Sequence, residues 1–208
     1  MKLHEVAGAS KRSGTLYVFD IDDTLFRTTA QVRVIKDGEP PKTLTSQEFN
    51  DYKLKPGERF DYGEFVDAEK FNTESKPIPK MIQTLVRVHD KVKLNLTPGS
   101  KVIISTARGI LDDQDTFDDT FRYHGIDIDN IEANHAEHGK GSSPAERKNS
   151  VARRYLSAHD YDACYMYDDS KTNLTYFLQL KHEFPEVDFR AFIINDEGEM
   201  HQFTAEAR

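Results

Sequence analysis

The sequence predicts a three-layer α/β domain with a mostly parallel sheet, and two observations lead to this prediction. Five apolar runs recur along the chain, and amphipathic helical patterns lie between them. Strands that alternate with helices are typical of a parallel sheet that helices cover on both faces. A chain of 208 residues is long enough for one such core and a small insertion.

The five apolar runs are rich in β-branched and aromatic residues, which favour strands. In chain order they are Leu16–Phe19, Val102–Ser105, a weaker run at Ile126–Ile131, Ala163–Tyr167 and Phe189–Ile194. The last run is followed by the turn sequence Asp196-Glu197-Gly198 and by Glu199–Phe203. This pattern predicts a hairpin that closes the sheet.

Four helices are predicted from apolar residues that recur on one face. They cover Pro79–Val92, Thr116–His124, Ser143–His159 and Asn173–Phe184. Gly125 follows the second helix, as expected of a residue beyond a helix end. The third helix opens with a capping box of Ser143 and Glu146, with Pro144 at the first helical position.

One segment, residues 28–76, departs from this alternation. It contains short strand-like stretches, a turn at Asp37-Gly38 and a short capped helix at Thr45–Glu48. It is too long for a connection between a strand and a helix, and too short for an independent domain. We therefore expect a core of residues 15–27 and 77–208, with residues 28–76 as a small cap or flap over the site.

Composition limits the classes of partner. With 28 basic and 36 acidic residues, the net charge of −8 argues against an extended nucleic-acid-binding surface, although a local basic pocket for one phosphate stays possible. No apolar run approaches membrane-spanning length, and the N-terminal residues lack the apolar stretch of a signal peptide. The single cysteine, Cys164, fits a reducing compartment. We expect a cytoplasmic protein without a membrane partner; its oligomeric state is not predicted.

Two carboxylates, Asp20 and Asp22, follow the first predicted strand with one residue between them. Strand alternation puts both on one side, at the carboxyl end where open α/β sheets bind their ligands. Like charges this close need a cation or a bound proton, and carboxylates suit Mg²⁺. The alternative is that Asp23 or Thr24 caps a following helix.

Three further positions carry polar groups at strand or helix ends. Thr106 and Arg108 follow the second strand and are candidates to contact phosphoryl oxygens and an anionic substrate group. Lys148 falls within the apolar stripe of its helix, where a lysine is costly unless it meets negative charge. Asp168 and Asp169 end another strand and are candidate Mg²⁺ ligands. The alternatives are an ordinary turn, a lysine that reaches solvent, and a helix cap.

These four motifs, in this order, resemble those of the haloacid dehalogenase superfamily of phosphatases and phosphotransferases. The matching sequences are DIDDTL from Asp20, STAR ending at Arg108, Lys148 near a helix start, and DDSKTN from Asp168. The resemblance covers residues 15–27 and 77–185. The Thr-Ala-Arg form is most similar to the phosphatase half of phage-type polynucleotide kinase/phosphatases. No P-loop kinase motif occurs in the sequence.

The resemblance implies a Rossmann-like core and an Mg²⁺-dependent phosphomonoester hydrolase that acts through an aspartyl-phosphate. It implies that Asp20 is the nucleophile and that Asp22 is the general acid and base. Thr106 and Lys148 would stabilise the phosphoryl oxygens. The resemblance implies further contacts, with substrate at Arg108 and Thr24, and with Mg²⁺ at Asp20, the Asp22 carbonyl, Asp169 and nearby Asp168.

The substrate stays open between a phosphorylated small molecule, a nucleotide and a nucleic-acid 3′-phosphate end. A protein of the same fold that only binds a ligand is a second alternative. A non-enzymatic phospho-acceptor switch of the response-regulator type fits less well. The receiver domains of response regulators have their acidic pair first in the sequence, whereas here the pair Asp168-Asp169 comes last. His135 and His138 suggest either a metal pair or, more readily in a polar loop, solvated or substrate-edge positions.

Overall fold

The computed structural model describes residues 14–45, 48–49 and 52–205 of the chain. Its main sheet has six strands, in the order β11-β10-β9-β1-β7-β8. These strands are β1 (Thr15–Phe19), β7 (Lys101–Ser105), β8 (Glu132–Asn134), β9 (Ala163–Asp168), β10 (Asp188–Ile194) and β11 (Met200–Phe203). All neighbouring pairs are parallel except β10 and β11. The predicted closing hairpin is therefore confirmed.

Within the described residues, five α-helices pack against the sheet. They are α1 (Ala68–Glu74), α2 (Pro79–Lys93), α3 (Gln114–Tyr123), α4 (Pro144–Ala158) and α5 (Lys171–Gln179). One cluster of buried side chains joins α1, α2 and α3 to one face of the sheet, and a second joins α4 and α5 to the other. This mixed α/β arrangement is compatible with a Rossmann-like α/β/α fold, as predicted.

The alternation within β1 explains why the sheet has two covered faces. Leu16 and Val18 pack in the cluster with α4 and α5, whereas Phe19 packs in the cluster with α2 and α3. All three side chains have no exposed surface. A strand paired on both sides and apolar on both faces is typical of the centre of a parallel sheet.

The weak strand prediction at Ile126–Ile131 is wrong. Ile128–Asn130 forms a 3₁₀ turn, and the strand follows it as β8. Ile126, Ile128 and Ile131 are buried against the core from this turn. The strand itself is short and polar because it lies at the sheet edge and pairs only with β7.

Residues 28–76 form mostly small elements of their own. An antiparallel sheet of β4 (Lys42–Leu44), β3 (Val32–Lys36) and β5 (Glu58–Asp61) is followed by a 3₁₀ turn at Gly63–Phe65 and by α1. A separate two-stranded ladder of β2 (Phe26–Arg27) and β6 (Lys76–Pro77) holds the two ends of the segment together. The insertion therefore begins and ends at adjacent points of the core.

The short helix predicted at Thr45–Glu48 has its predicted cap. The Glu48 backbone N–H donates to Thr45 Oγ1 at 3.2 Å, and the Thr45 N–H donates to Glu48 Oε2 at 2.9 Å. Glu48 and Phe49 are helical, and the intervening Ser46 and Gln47 lie outside the described residues. No helix in the described ranges combines the length and the apolar character that crossing a bilayer requires.

Candidate active site

The carboxyl ends of β1, β7 and β9 bring the predicted site residues together. Asp20 directly follows β1, and its backbone N–H donates to the Tyr167 carbonyl of β9 at 3.0 Å. The chain then turns sharply: the N–H groups of Thr24, Leu25 and Phe26 all point at the Ile21 carbonyl. Asp23 occupies the left-handed region at φ 55°, which aspartate tolerates better than most residues. This turn holds both Asp20 and Asp22 in the buried interior.

Lys148 lies between two carboxylates. Its Nζ is 2.8 Å from Asp20 Oδ1 and 2.7 Å from Asp168 Oδ2, and the side chain is 3% exposed. The predicted capping box of Ser143 and Glu146 and the proline at the start of α4 are both present. They fix the helix start one turn before Lys148. The prediction that this lysine points inward to meet negative charge is therefore confirmed.

The charges around Lys148 do not balance. Three carboxylates, Asp20, Asp168 and Asp169, surround one ammonium group. Burial raises the pKa of Asp20 to about 8, because desolvation and the neighbouring Asp168 and Asp22 outweigh the attraction of Lys148. Burial, together with Asp168 and Asp20, also raises the pKa of Asp169 well above its usual range. A further positive charge at this site would therefore reduce the repulsion among the carboxylates.

The same three carboxylates have the geometry to hold a cation. One oxygen from each of Asp20, Asp168 and Asp169 lies within 4.8 Å of the others. Among the described residues, this is the one group of three or more histidine, cysteine, aspartate or glutamate side chains that meets this criterion. Oxygen-only donors suit Mg²⁺ rather than a soft metal. The donor set thus fits the predicted ion.

Asp168 and Asp169 differ in their surroundings. Asp168 is fully buried and accepts hydrogen bonds from Lys148, from the Ser170 backbone and from Asn173 Nδ2 at 2.9 Å. Asp169 lines the open cavity, and no donor from the described part of the chain reaches its carboxylate. Asp169 is therefore the more available ligand, whereas Asp168 orients Lys148.

Arg108 binds Asp22 within the protein interior. Its Nε lies 3.1 and 3.0 Å from the two Asp22 carboxylate oxygens, and Nη2 lies 2.7 Å from Oδ1. Nη1 donates to the Phe65 carbonyl at 3.2 Å, and Nη2 also donates to Thr28 Oγ1 at 2.9 Å. The side chain has no exposed surface. The guanidinium is thus bonded to Asp22 and to the insertion, and Arg108 is not among the residues that line the cavity.

Thr106 and Thr24 are near the site without lining the cavity. Thr106 directly follows β7, is 2% exposed, and accepts the Arg108 backbone N–H on its hydroxyl at 3.1 Å. Thr24 is fully buried, and its hydroxyl has no hydrogen-bond partner among the described residues. Of the predicted site residues, Asp20, Asp22, Lys148 and Asp169 line the cavity.

A cavity of about 330 Å³ opens above these four residues. Its roof comes from the insertion and is apolar and aromatic; the contributing residues are Val32, Phe49, Tyr62, Phe65 and Val66. Arg147, near the start of α4, also lines the cavity. Burial raises the pKa of Tyr62, and the charge of Arg147 opposes this shift without cancelling it. The insertion therefore forms part of the cavity lining, and its action as a flap stays a prediction.

The histidine pair does not form a metal site. His135 is buried against Phe117, with ring centroids 5.6 Å apart, rather than solvated as expected. Burial lowers its pKa. His138 Nδ1 accepts the His135 backbone N–H at 3.2 Å, which closes a 3₁₀ turn. The pair shapes the loop beside the cavity, where Ala136 and Glu137 contribute to the wall.

Several functional candidates escaped prediction from the sequence. The aromatic roof and the contacts of Thr28 and Phe65 with Arg108 join residues far apart in the chain, and no local pattern reveals them. Asn173 did not escape, because the sequence indicates Ser170 or Asn173 as residues that tie the loop after the acidic strand end, and Asn173 lies in the first turn of α5. Its side chain ties the Asp168 carboxylate.

Comparisons with known proteins add no relative. A scan against protein-family models, a search of curated proteins and a search of solved structures each return no match for this chain. The functional interpretation therefore depends on the motifs and on the geometry described above.

Proposed function

We propose that this protein is an Mg²⁺-dependent phosphomonoester hydrolase that uses Asp20 as a covalent nucleophile. One observation carries the proposal: Asp20, Asp169 and Lys148 converge at the carboxyl end of β1, with Asp22 two residues on, and all four line one cavity. A nucleophile, a cation site, a fixed ammonium and a second carboxylate are the groups that phosphoryl transfer through a carboxylate needs.

In the proposed reaction, an Asp20 oxygen attacks phosphorus as the bond to the ester oxygen breaks. The leaving oxygen takes a proton from Asp22. Water then attacks phosphorus, gives a proton to Asp22 and releases phosphate, which restores the Asp20 carboxylate. Lys148, held by Asp168, lies where it stabilises charge on the phosphoryl oxygens. The family resemblance assigns the same role to the Thr106 hydroxyl, which follows β7 and lies outside the cavity lining.

Asp20, Asp168 and Asp169 would hold Mg²⁺, and the family resemblance adds the Asp22 carbonyl as a further ligand. When bound, the ion offsets the repulsion between an anionic nucleophile and an anionic phosphate. A bound cation would also reduce the repulsion among Asp20, Asp168 and Asp169, because Lys148 alone does not balance these three carboxylates. A cytoplasmic location is part of the proposal and agrees with the single, buried cysteine.

The natural substrate belongs to the proposal only as a class. A cavity of about 330 Å³ lined in part by aromatic side chains of the insertion supports a phosphate monoester as the substrate. Nucleotides, nucleic-acid 3′-phosphate ends and small phosphorylated metabolites all belong to this class. A ligand-binding protein without turnover is the second candidate, and the experiment below separates the two.

The test is hydrolysis of p-nitrophenyl phosphate and of a panel that includes 3′- and 5′-phosphorylated oligonucleotides, nucleotides and sugar phosphates. We expect turnover with Mg²⁺ or Mn²⁺, none with EDTA, and inhibition by Ca²⁺, whose looser shell misplaces the attacking carboxylate. Turnover in metal-free buffer would contradict the metal role. An absence of turnover for every substrate, with Mg²⁺ still raising Tm, would favour the binding protein.

A further inference from the structure

Arg108 is a residue whose chemistry the proposed reaction leaves unused. It is the largest side chain among those with under 2% exposure, and all three of its guanidinium nitrogens have protein partners. A guanidinium engaged in this way has little capacity left for a substrate phosphate. Its role is therefore inferred from the protein groups that it contacts.

Arg108 holds Asp22 from one side and the insertion from the other. The planar guanidinium meets both oxygens of the Asp22 carboxylate, an arrangement that fixes the carboxylate plane as well as its position. Phe65 and Thr28 accept its remaining hydrogen bonds. The rings of Phe65 and Phe71 pack against the guanidinium carbon at 5.0 and 4.5 Å. All three residues belong to residues 28–76.

We propose that Arg108 is a positioning residue that fixes the Asp22 carboxylate for proton transfer, and that the insertion completes this support. The proposal rests on the proposed function of the site. It also gives the insertion a role in the chemistry besides lining the cavity. Phe65 and Thr28 hold Arg108 in position, and Arg108 in turn holds the Asp22 carboxylate.

The proposal has a consequence that a purely structural ion pair lacks. In the first step the bond from phosphorus to the ester oxygen breaks, and that oxygen leaves with the proton of Asp22. A poor leaving group, such as an alkoxide, needs this proton, whereas p-nitrophenolate is stable without it. A misplaced Asp22 therefore slows esters of poor leaving groups selectively. General loss of folded protein would slow all substrates by one factor.

The test uses aryl phosphates of similar shape whose phenols span a range of pKa, with an alkyl phosphate at the end of the series. The variants are Arg108→Lys, which keeps the charge but cannot form the two-pronged contact, and Thr28→Val, which removes one acceptor. Thr29→Val is the matched control, since this exposed neighbour does not contact Arg108. The measurement is kcat/KM for each ester at saturating Mg²⁺.

For Arg108→Lys we expect kcat/KM of the alkyl phosphate to fall about 10- to 100-fold, which is less than the full contribution of about 10²- to 10⁴-fold from general acid catalysis because Asp22 is misplaced rather than removed. That of p-nitrophenyl phosphate should fall by less than about threefold. Thr28→Val should shift in the same direction by less, and Thr29→Val should match the wild type. Equal losses across the series would overturn the proposal. If Arg108→Lys does not fold, an unchanged leaving-group dependence in Thr28→Val overturns it. If the wild type hydrolyses no ester, the proposed function fails first and this inference with it.

Discussion

Asp20 lies where its own charge is costly, and this decides what its removal does. Burial raises its pKa to about 8, and Asp168 and Asp22 add repulsion. Asn at this position keeps an oxygen to accept from Lys148 but removes one negative charge and the nucleophile. We expect Asp20→Asn to lose more than about 99% of kcat on p-nitrophenyl phosphate while Tm holds or rises. Asp188→Asn, at the opposite end of the sheet, is the control and should keep full activity.

The difference in Tm between Asp20→Asn and the wild type should also depend on pH. The Asp20 carboxyl has a higher pKa in the folded state than in the unfolded chain, so the folded state binds more protons between about pH 4 and pH 8. Its contribution to stability is therefore present at low pH and is lost as the pH rises. In metal-free buffer the Tm of Asp20→Asn minus that of the wild type should increase from pH 5 to pH 8. A difference that shrinks with pH would contradict the burial of this carboxylate, and residual activity above about a hundredth would contradict its covalent role.

Residues at strand ends could be predicted from the sequence, but the directions of their side chains could not. The end of the apolar run places Asp20 at the carboxyl end of β1, and the helical stripe places Lys148 inward; both follow from local periodicity. Arg108 has the same local signal as a substrate-binding residue. Its actual partners, Phe65 and Thr28, lie 43 and 80 positions away, and only the packing of the insertion brings them to it.

At the scale of elements, the loop before α4 controls where Lys148 lies. Gly139 lies so close to the helix that a Cβ there would be 2.6 Å from the Arg147 carbonyl oxygen. That carbonyl is backbone and cannot rotate away. We expect Gly139→Ala to displace the start of α4, to lower Tm by about 5 °C and to reduce kcat. Thermal unfolding and turnover of p-nitrophenyl phosphate check this.

Gly63→Ala is the matched substitution, because the nearest atom to a Cβ there is a side-chain oxygen of Asp61 at 3.3 Å. A side chain can adjust where a carbonyl cannot, so this variant should lose little stability. If Gly139→Ala keeps both the Tm and the kcat of the wild type, the loop does not determine the placement of Lys148.

Elements were predictable where sequence periodicity and caps coincide. The start of α4 has a capping box and proline in addition to its apolar stripe, and it begins where predicted. The edge strand β8 has no apolar alternation, because it contributes Glu132 and Asn134 to a ladder with one neighbour only. The preceding isoleucines gave a false signal, since they are buried from a turn rather than from a strand. Burial without regular structure is what sequence periodicity detects least well.

At the scale of the whole molecule, the insertion divides into two parts by packing. Ala68 and Phe71 of α1 belong to the main core cluster, beside Phe117 and Phe121. Ala30, Val32 and Phe65 form a separate small cluster, with Phe49 and Phe60 packed against it. Removing all of residues 28–76 would therefore expose the main core and release Arg108. Removing only residues 34–60, the tip of the insertion, leaves the main core cluster and the contacts of Arg108 intact.

The tip can be removed because the two residues that flank it already pair with each other. Arg33 of β3 pairs with Asp61 of β5, so a short Gly/Ser linker can replace residues 34–60 without moving either end. The variant loses Phe49 from the cavity roof but keeps Thr28, Phe65 and Phe71 around Arg108. We expect kcat for p-nitrophenyl phosphate to stay within about threefold of the wild type, because the phosphoryl pocket is unchanged. Discrimination among natural monoesters should collapse, because the contacts to the leaving group are lost. A folded variant that keeps the wild-type ranking of kcat/KM across the substrate panel would show that the tip does not select the substrate.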